Sequence, residues 1–210
     1  MERMRVHILG LRGIPSSYSG YETFIGELAP RLAVRGHDVT VYCRRAFFSE
    51  RPAEWCGVKL VYLPSLEHKA FSTMSHSFLA MRRAVAADPD VILAVNAATG
   101  WFSRIPLRRG IPLIINVNGM EWLRPKWSGL GRWMFLNGAR RACRFATSIV
   151  TDAEEMHRLY AESFGVESVY IAYGANLAYA SNPEAVQKLG LTPGRYLLCA
   201  GRLIPDNNAD

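Results

Sequence analysis

The sequence predicts an α/β protein, a Rossmann-like doubly wound parallel sheet with flanking helices. Short β-branched runs alternate with longer segments of helical period, and the first such run ends in a glycine-rich loop that opens a helix. Strands separated by helices pair in parallel through crossovers, and that alternation defines the doubly wound class. With 210 residues, half of them hydrophobic and 20% charged, the chain can bury a full core. Disorder, collagen and coiled coil are excluded by the same composition.

The elements follow in order. Residues 5–10 form an apolar run ending in Gly10, a buried strand. Gly10, Gly13 and Gly20 punctuate the loop after it, and then Tyr21, Phe24, Ile25, Leu28, Ala29, Leu32 and Ala33 recur at helical spacing up to Gly36. Pro30 lies inside this helix and predicts a kink near Gly26. Residues 39–43 and 57–63 are the next strands. Phe71, Met74, Phe78, Met81 and Val85 mark a helix that stops before Asp88 and Pro89. Further strands are expected at 91–95, 112–117, 147–151 and 168–172, with helices at about 130–143 and 154–164 between the last three. From Asn176 to Gly194 the chain turns small, polar and Pro/Gly-rich, and a fresh strand is expected at 195–200. The expected organisation is therefore a Rossmann-like domain over 1–175, a linker over 176–194 and the truncated opening of a second domain over 195–210.

Four cysteines (Cys43, Cys56, Cys143, Cys199) are scattered without a C-x-x-C pair or histidines at zinc spacing, so neither a disulfide framework nor a metal site is signalled. No secretory signal and no apolar stretch of membrane-spanning length is present, and a cytoplasmic protein is expected.

The net charge of +7 is unevenly placed. Residues 101–144 hold nine basic side chains and a single acid, Glu121, whereas the rest of the chain has sixteen basic and seventeen acidic groups. Trp101, Phe102, Trp122, Trp127, Trp133 and Phe135 are interleaved with the arginines. Such a segment reads as an anion-facing surface with amphipathic anchors. A solvated helix face without specific partners is the plainer alternative.

The glycine-rich loop after the first strand is where an open α/β sheet receives phosphates, at a helix amino end with free N–H groups. Its spacing departs from the dinucleotide fingerprint, because Arg12 stands where a second glycine is needed. The second strand also ends in Arg44 and Arg45 instead of the acid that holds a ribose, which weakens the reading as an NADP-dependent oxidoreductase.

Five segments resemble one family. Residues 13–24 (GIPSSYSGYETF) and 35–44 (RGHDVTVYCR), then 116–127 (NVNGMEWLRPKW), 173–176 (YGAN) and 201–205 (GRLIP), are similar to the N-terminal half of retaining GT-B glycosyltransferases of the GT4 type, closest to the bacterial rhamnosyltransferase-like branch. The resemblance implies a half that binds the acceptor, while a second half holds most of the nucleotide-sugar. It also implies transfer of a sugar, rhamnose in that branch, to a lipid-linked or polysaccharide acceptor in bacterial surface polysaccharide synthesis. This chain departs from the pattern at Asn118 and Asn176, where the family carries aspartate, and at Asn207, where the wider group carries lysine.

Roles follow from the chemistry. Breaking a glycosyl–phosphate bond builds negative charge on the departing diphosphate, which calls for cationic and N–H donors. Arg202 and the N–H groups of Gly20 and Tyr21 are the expected phosphate binders. Glu121 and Asn118 are the catalytic candidates, Glu121 either orienting an acceptor hydroxyl and taking its proton or pairing with Arg124 or Lys126. Tyr18, Glu22, Gly119, Trp122, Arg124 and Lys126 are expected to hold the acceptor, although Glu22 also suits a helix amino end. His76 reads as a packed histidine. Trp133, Arg140, Arg141 and Arg144 are expected to face an anionic inner membrane surface, making the protein peripheral on its cytoplasmic side. No cofactor, metal or nucleic acid is expected, and this polypeptide alone is expected not to transfer sugar. A non-catalytic sugar- or polysaccharide-binding module is the alternative.

Overall fold

A computed structural model describes residues 2–15, 20–68, 71–124, 127, 129–176, 183–192 and 194–198. They divide into two compact units, Met1–Leu123 with Trp127–Tyr173, and Arg124–Lys126 with Gly174–Asp210. In the first unit, strands β1 (Arg5–Leu9), β2 (Asp38–Arg44), β3 (Glu54–Trp55), β4 (Val58–Leu63), β5 (Val91–Val95), β6 (Leu113–Val117), β7 (Ser148–Thr151) and β8 (Val169–Tyr170) make one sheet in the order β3-β4-β2-β1-β5-β6-β7-β8. Every pairing is parallel except the β3–β4 hairpin. The chain builds outward from β1 to β2 and β4, then returns to the other side of β1 with β5. That reversal makes a switch point between β1 and β5, where ligands of open α/β sheets bind beyond the strand ends.

Helices α1 (Gly20–Val34), α2 (Phe71–Ala86), α3 (Arg104–Leu107), α4 (Gly129–Phe145) and α5 (Glu154–Phe164) connect these strands, with 3-10 turns at Ala97–Phe102 and Glu121–Leu123. The β2 side chains alternate by face. Val39, Val41 and Cys43 join Ile25 and Ala29 of α1, whereas Tyr42 joins Ala80, Met81 and Ala84 of α2 in the core shared with α4 and α5. Ile25 is fully buried, and a buried side chain of that size contributes roughly 1.5–3 kcal/mol relative to exposure. The 3-10 turn Ala97–Phe102 meets α4 backbone to backbone. A Cβ at Gly100 would lie 2.1 Å from the Gly138 carbonyl oxygen, and one at Gly138 would lie 2.9 Å from that of Ala97.

The expected alternation and the α/β class match the structure. The helix at α1 runs through Pro30. Sequence pattern missed the β3–β4 hairpin and the 3-10 turns, which are too short to develop a period. In the second unit, α6 (Pro183–Lys188) lies inside the segment read as a linker; of the strand expected at 195–200, residues 195–198 carry no strand and 199–200 lie outside the described residues. A strand exists only as part of a ladder, and β-branched or apolar composition alone does not supply the partner. No helix of the described residues is long and apolar enough to cross a membrane.

Candidate functional site

The carboxyl ends of β1 and β6 converge on the first turn of α1. Gly10 ends β1 at φ +97°, and a Cβ there would meet the Val95 carbonyl oxygen at 2.1 Å, so glycine is what lets β1 and β5 close at the switch point. The loop then returns on itself. The Glu22 side chain, 4% exposed, accepts the Arg12 N–H at 3.0 Å. Glu22 therefore ties the loop to the first turn of α1, a structural task that the sequence left beside acceptor binding.

Tyr21 and Asn118 meet across the site. The Tyr21 hydroxyl accepts the backbone N–H of Asn118 at 3.2 Å, joining the start of α1 to the turn after β6. Burial holds the Tyr21 phenol well above its ordinary range, with Tyr173 acting in the same direction, so it stays neutral. Tyr173, after β8, stacks on Phe24 of α1 at 4.6 Å and donates its hydroxyl to Asn116 Oδ1 at 2.8 Å. Its phenol too is raised, first by burial and then by Asp152. Asn116 is 1% exposed, and its Nδ2 has no hydrogen-bond partner. Asn96, at the end of β5, takes φ +81° and caps the next turn by accepting the Ala98 N–H at 2.9 Å.

Two glycines flank the Tyr21–Asn118 junction. Gly20 opens α1 and Gly119 follows Asn118 at φ +137°; among the described residues, nothing lies within 4 Å of a Cβ built at either. Their backbones are thus approachable, one at a helix amino end where partial positive charge collects. Glu121 is half-buried in the following 3-10 turn, and its Oε2 accepts the Trp127 indole N–H at 3.2 Å.

Several expected site residues lie elsewhere. Trp122 is 7% exposed, edge-on to Tyr160 and Phe164 in the core. Its indole packs inward because three aromatic rings bury more apolar area than an exposed one could. Arg124 is half-buried and belongs to the second unit. Tyr18, Lys126 and Arg202 lie outside the described residues, as does Asn207. Trp133 is 54% exposed and tilts against Trp101 at 5.4 Å, while Arg141 lies over Trp101 at 4.4 Å. Arg140, Arg141 and Arg144 line a pocket of about 380 Å³ with Arg104, Asn137 and Phe145. These arginines occupy the carboxyl half of α4, a helix that starts after the carboxyl end of β6 and returns to the amino end of β7. This half of α4 packs on the 3-10 turn after β5, Gly138 against Ala97 and Arg141 over Trp101. Among the described residues no cluster of His, Cys, Asp and Glu is placed to hold a metal ion.

Sequence reasoning did not single out Asn96, Asn116 or Tyr173 as site residues. The available signal was a lone amide inside the apolar run of β6.

The sheet and its helices are one Rossmann-like half of the GT-B architecture of glycosyltransferases. The chain belongs to the family described as glycosyl transferase 4-like domain, which matches residues 19–175. Among solved structures, it is similar to HepE of Anabaena in complex with UDP, with a TM-score of 0.58 and 15% identity over 89% of this chain and 50% of that one. UGT2 of Phytolacca americana, without ligand, gives a TM-score of 0.57 at 11% identity over 90% and 55%. A UDP-glucosyltransferase from Polygonum tinctorium gives 0.55 at 13% identity over 92% and 58%. At such identities the likeness shows the fold alone. The chain spans about half the length of these structures. No curated protein matches it by sequence.

Proposed function

We propose that this chain is the acceptor half of a retaining glycosyltransferase of the GT4 type, which receives sugar from a nucleotide-sugar and passes it to a lipid-linked or polysaccharide acceptor in bacterial surface polysaccharide synthesis. The observation that carries the proposal is the Tyr21–Asn118 junction. It sits at the carboxyl edge of the sheet between two open glycines, one of them at a helix amino end.

Each residue then has a task. The N–H groups of Gly20 and Tyr21 face the departing diphosphate as negative charge develops there. Arg202 adds a guanidinium fork to the same phosphates. Asn118 and Gly119 form the floor for the acceptor, and acceptor contacts are also assigned to Tyr18, Arg124 and Lys126. Glu121, steadied by Trp127, orients the acceptor hydroxyl and takes its proton. No metal or cofactor takes part, and the nucleoside diphosphate departs from the sugar on the face at which the acceptor hydroxyl bonds to it. Transfer requires a second lobe with the donor site, which fits neighbours about twice as long.

The α4 outer face lies against anionic headgroups on the cytoplasmic side of the membrane. Its exposed positions run from Leu130 and Trp133 near the site to Arg140 and Arg144 at the far end, and the helix contains no acid.

The test is transfer by the complete protein with a panel of nucleotide-sugars, dTDP-rhamnose included, against lipid-linked and soluble glycan acceptors. Retention of anomeric configuration, loss of turnover in Glu121→Gln and no turnover by residues 1–210 alone are expected. Sugar binding without transfer by the complete protein replaces the proposal with a binding module, and inversion of configuration overturns its mechanism.

A further inference from the structure

The carboxyl end of β2 holds a buried cation that has no ion-pair partner among the described residues. Arg44 is 7% exposed, and its Nη2 donates to Thr73 Oγ1 at 3.1 Å while Nη1 reaches Ser72 Oγ only at 3.5 Å. The Nε–H has no partner, and among the described residues no carboxylate pairs with this guanidinium. Both hydroxyls belong to the first turn of α2, a sixteen-residue helix, so the cation faces the positive end of a helix dipole.

Other charges deepen the imbalance. Burial holds the Arg44 guanidinium below its ordinary proton affinity, and the charge of Arg12 acts the same way, with Glu67 and Glu22 opposing both. The backbones of the two arginines are joined, the Arg44 N–H donating to the Arg12 carbonyl at 2.6 Å, and the Arg12 guanidinium lies over Phe47 at 4.6 Å. On the same helix His76 is fully buried beside the Cys43 backbone, and the buried Ser77 Oγ has no partner among the described residues. Buried polar groups are almost always satisfied, and a buried charge short of partners favours the arrival of a counter-ion.

We propose that Arg44, with Ser72 and Thr73, forms an oxyanion site that takes a phosphate group. A guanidinium fork, two hydroxyls and a helix amino end are the donors phosphate oxygens require, and Arg12 adds long-range attraction. Ser72 and Thr73 are half-buried and Arg45 beside them is exposed, which leaves the fork one layer below the surface. The site lies on the same carboxyl edge as the Tyr21–Asn118 junction, with β1 and β5 between β2 and β6. Its placement makes a phosphate-bearing acceptor the natural occupant; that role rests on the reading above, whereas phosphate binding does not.

The experiment uses residues 1–210 and follows the arginine Nε–H signals by NMR together with the thermal midpoint. Two probes are titrated at constant ionic strength against chloride, inorganic phosphate and monomeric dihexanoyl phosphatidic acid, which separate a free phosphate from a lipid headgroup. A shift of the Arg44 Nε–H signal and a rise in Tm of about 3–5 °C at ten times Kd with either probe support the site. In Arg44→Gln the rise is lost, whereas replacing the exposed Arg35 after α1 (Arg35→Gln) keeps it. If Arg44→Gln does not fold, Thr73→Val provides the same comparison, with at least a fivefold weaker phosphate affinity expected. No response to either probe, or a response that survives Arg44→Gln and Thr73→Val, overturns the proposal. Binding that persists while the complete protein shows no transfer leaves the site standing and removes only the acceptor role.

Discussion

The Tyr21 hydroxyl and the Asn118 backbone N–H, ninety-seven residues apart in sequence, are hydrogen-bonded at 3.2 Å. This bond ties the glycine-bearing turn after β6 to the first turn of α1, and so fixes the floor of the candidate site. Tyr21→Phe keeps the ring and removes only the acceptor. A loss of about 1 kcal/mol in urea denaturation with an unchanged m-value is expected. In the complete enzyme, the KM for acceptor should rise more than kcat falls. Unchanged stability and kinetics would show that the bond holds nothing.

Glycines in this chain divide into packed and open ones. Gly100→Ala places a methyl 2.1 Å from the Gly138 carbonyl oxygen and forces α4 off the 3-10 turn beneath it. A loss of about 3 kcal/mol or more is expected. Gly119→Ala meets no described atom and is penalised through its φ of +137° alone, by roughly 1–2 kcal/mol. Chemical denaturation of both variants distinguishes the two mechanisms.

His76 makes stability depend on pH. Burial, then the charge of Arg44, lowers its pKa from 6.5 to about 4, the Cys43 carbonyl opposing them only in part. The unfolded chain therefore binds the proton first as pH falls. Stability is full above about 6.5, declines between 6.5 and 4 and levels off below, at up to about 3 kcal/mol. His76→Gln should flatten that slope between pH 4 and 6.5 in urea titrations; a slope identical to wild type would assign the acid sensitivity to other groups.

The outer face of α4 predicts salt-sensitive membrane binding. Basic side chains near an anionic surface contribute about 1 kcal/mol each, so replacing Arg140, Arg141 and Arg144 by Gln should weaken binding to phosphatidylserine vesicles by roughly 100-fold at low salt. Raising ionic strength should weaken the wild type in the same way. Flotation that ignores lipid charge and salt would discard the membrane reading.

Periodicity made most of the elements legible. The run at 154–164 and the stripe from Tyr21 to Ala33 correspond to α5 and α1, because helical period reports which face is buried. The hairpin strand β3, two residues long, has no period to read. Trp122 illustrates a different failure. In sequence it stands between Glu121 and Leu123, with Arg124 next, but its neighbours in space are Tyr160 and Phe164, 38 and 42 residues on. Charge counting grouped Glu121 with Arg140 and Arg144; in the fold Glu121 sits in the 3-10 turn before α4 and the two arginines in the carboxyl half of that helix.

From its order of residues alone this chain is a parallel α/β protein with a glycine-bearing turn at its first strand, because burial on both faces of a sheet writes itself into local composition. Folding decided which polar groups meet. The Tyr21–Asn118 bond, the Tyr173–Asn116 bond and the uncompensated Arg44 all depend on contacts between distant segments, where loss of water, not sequence spacing, sets the energy of each group.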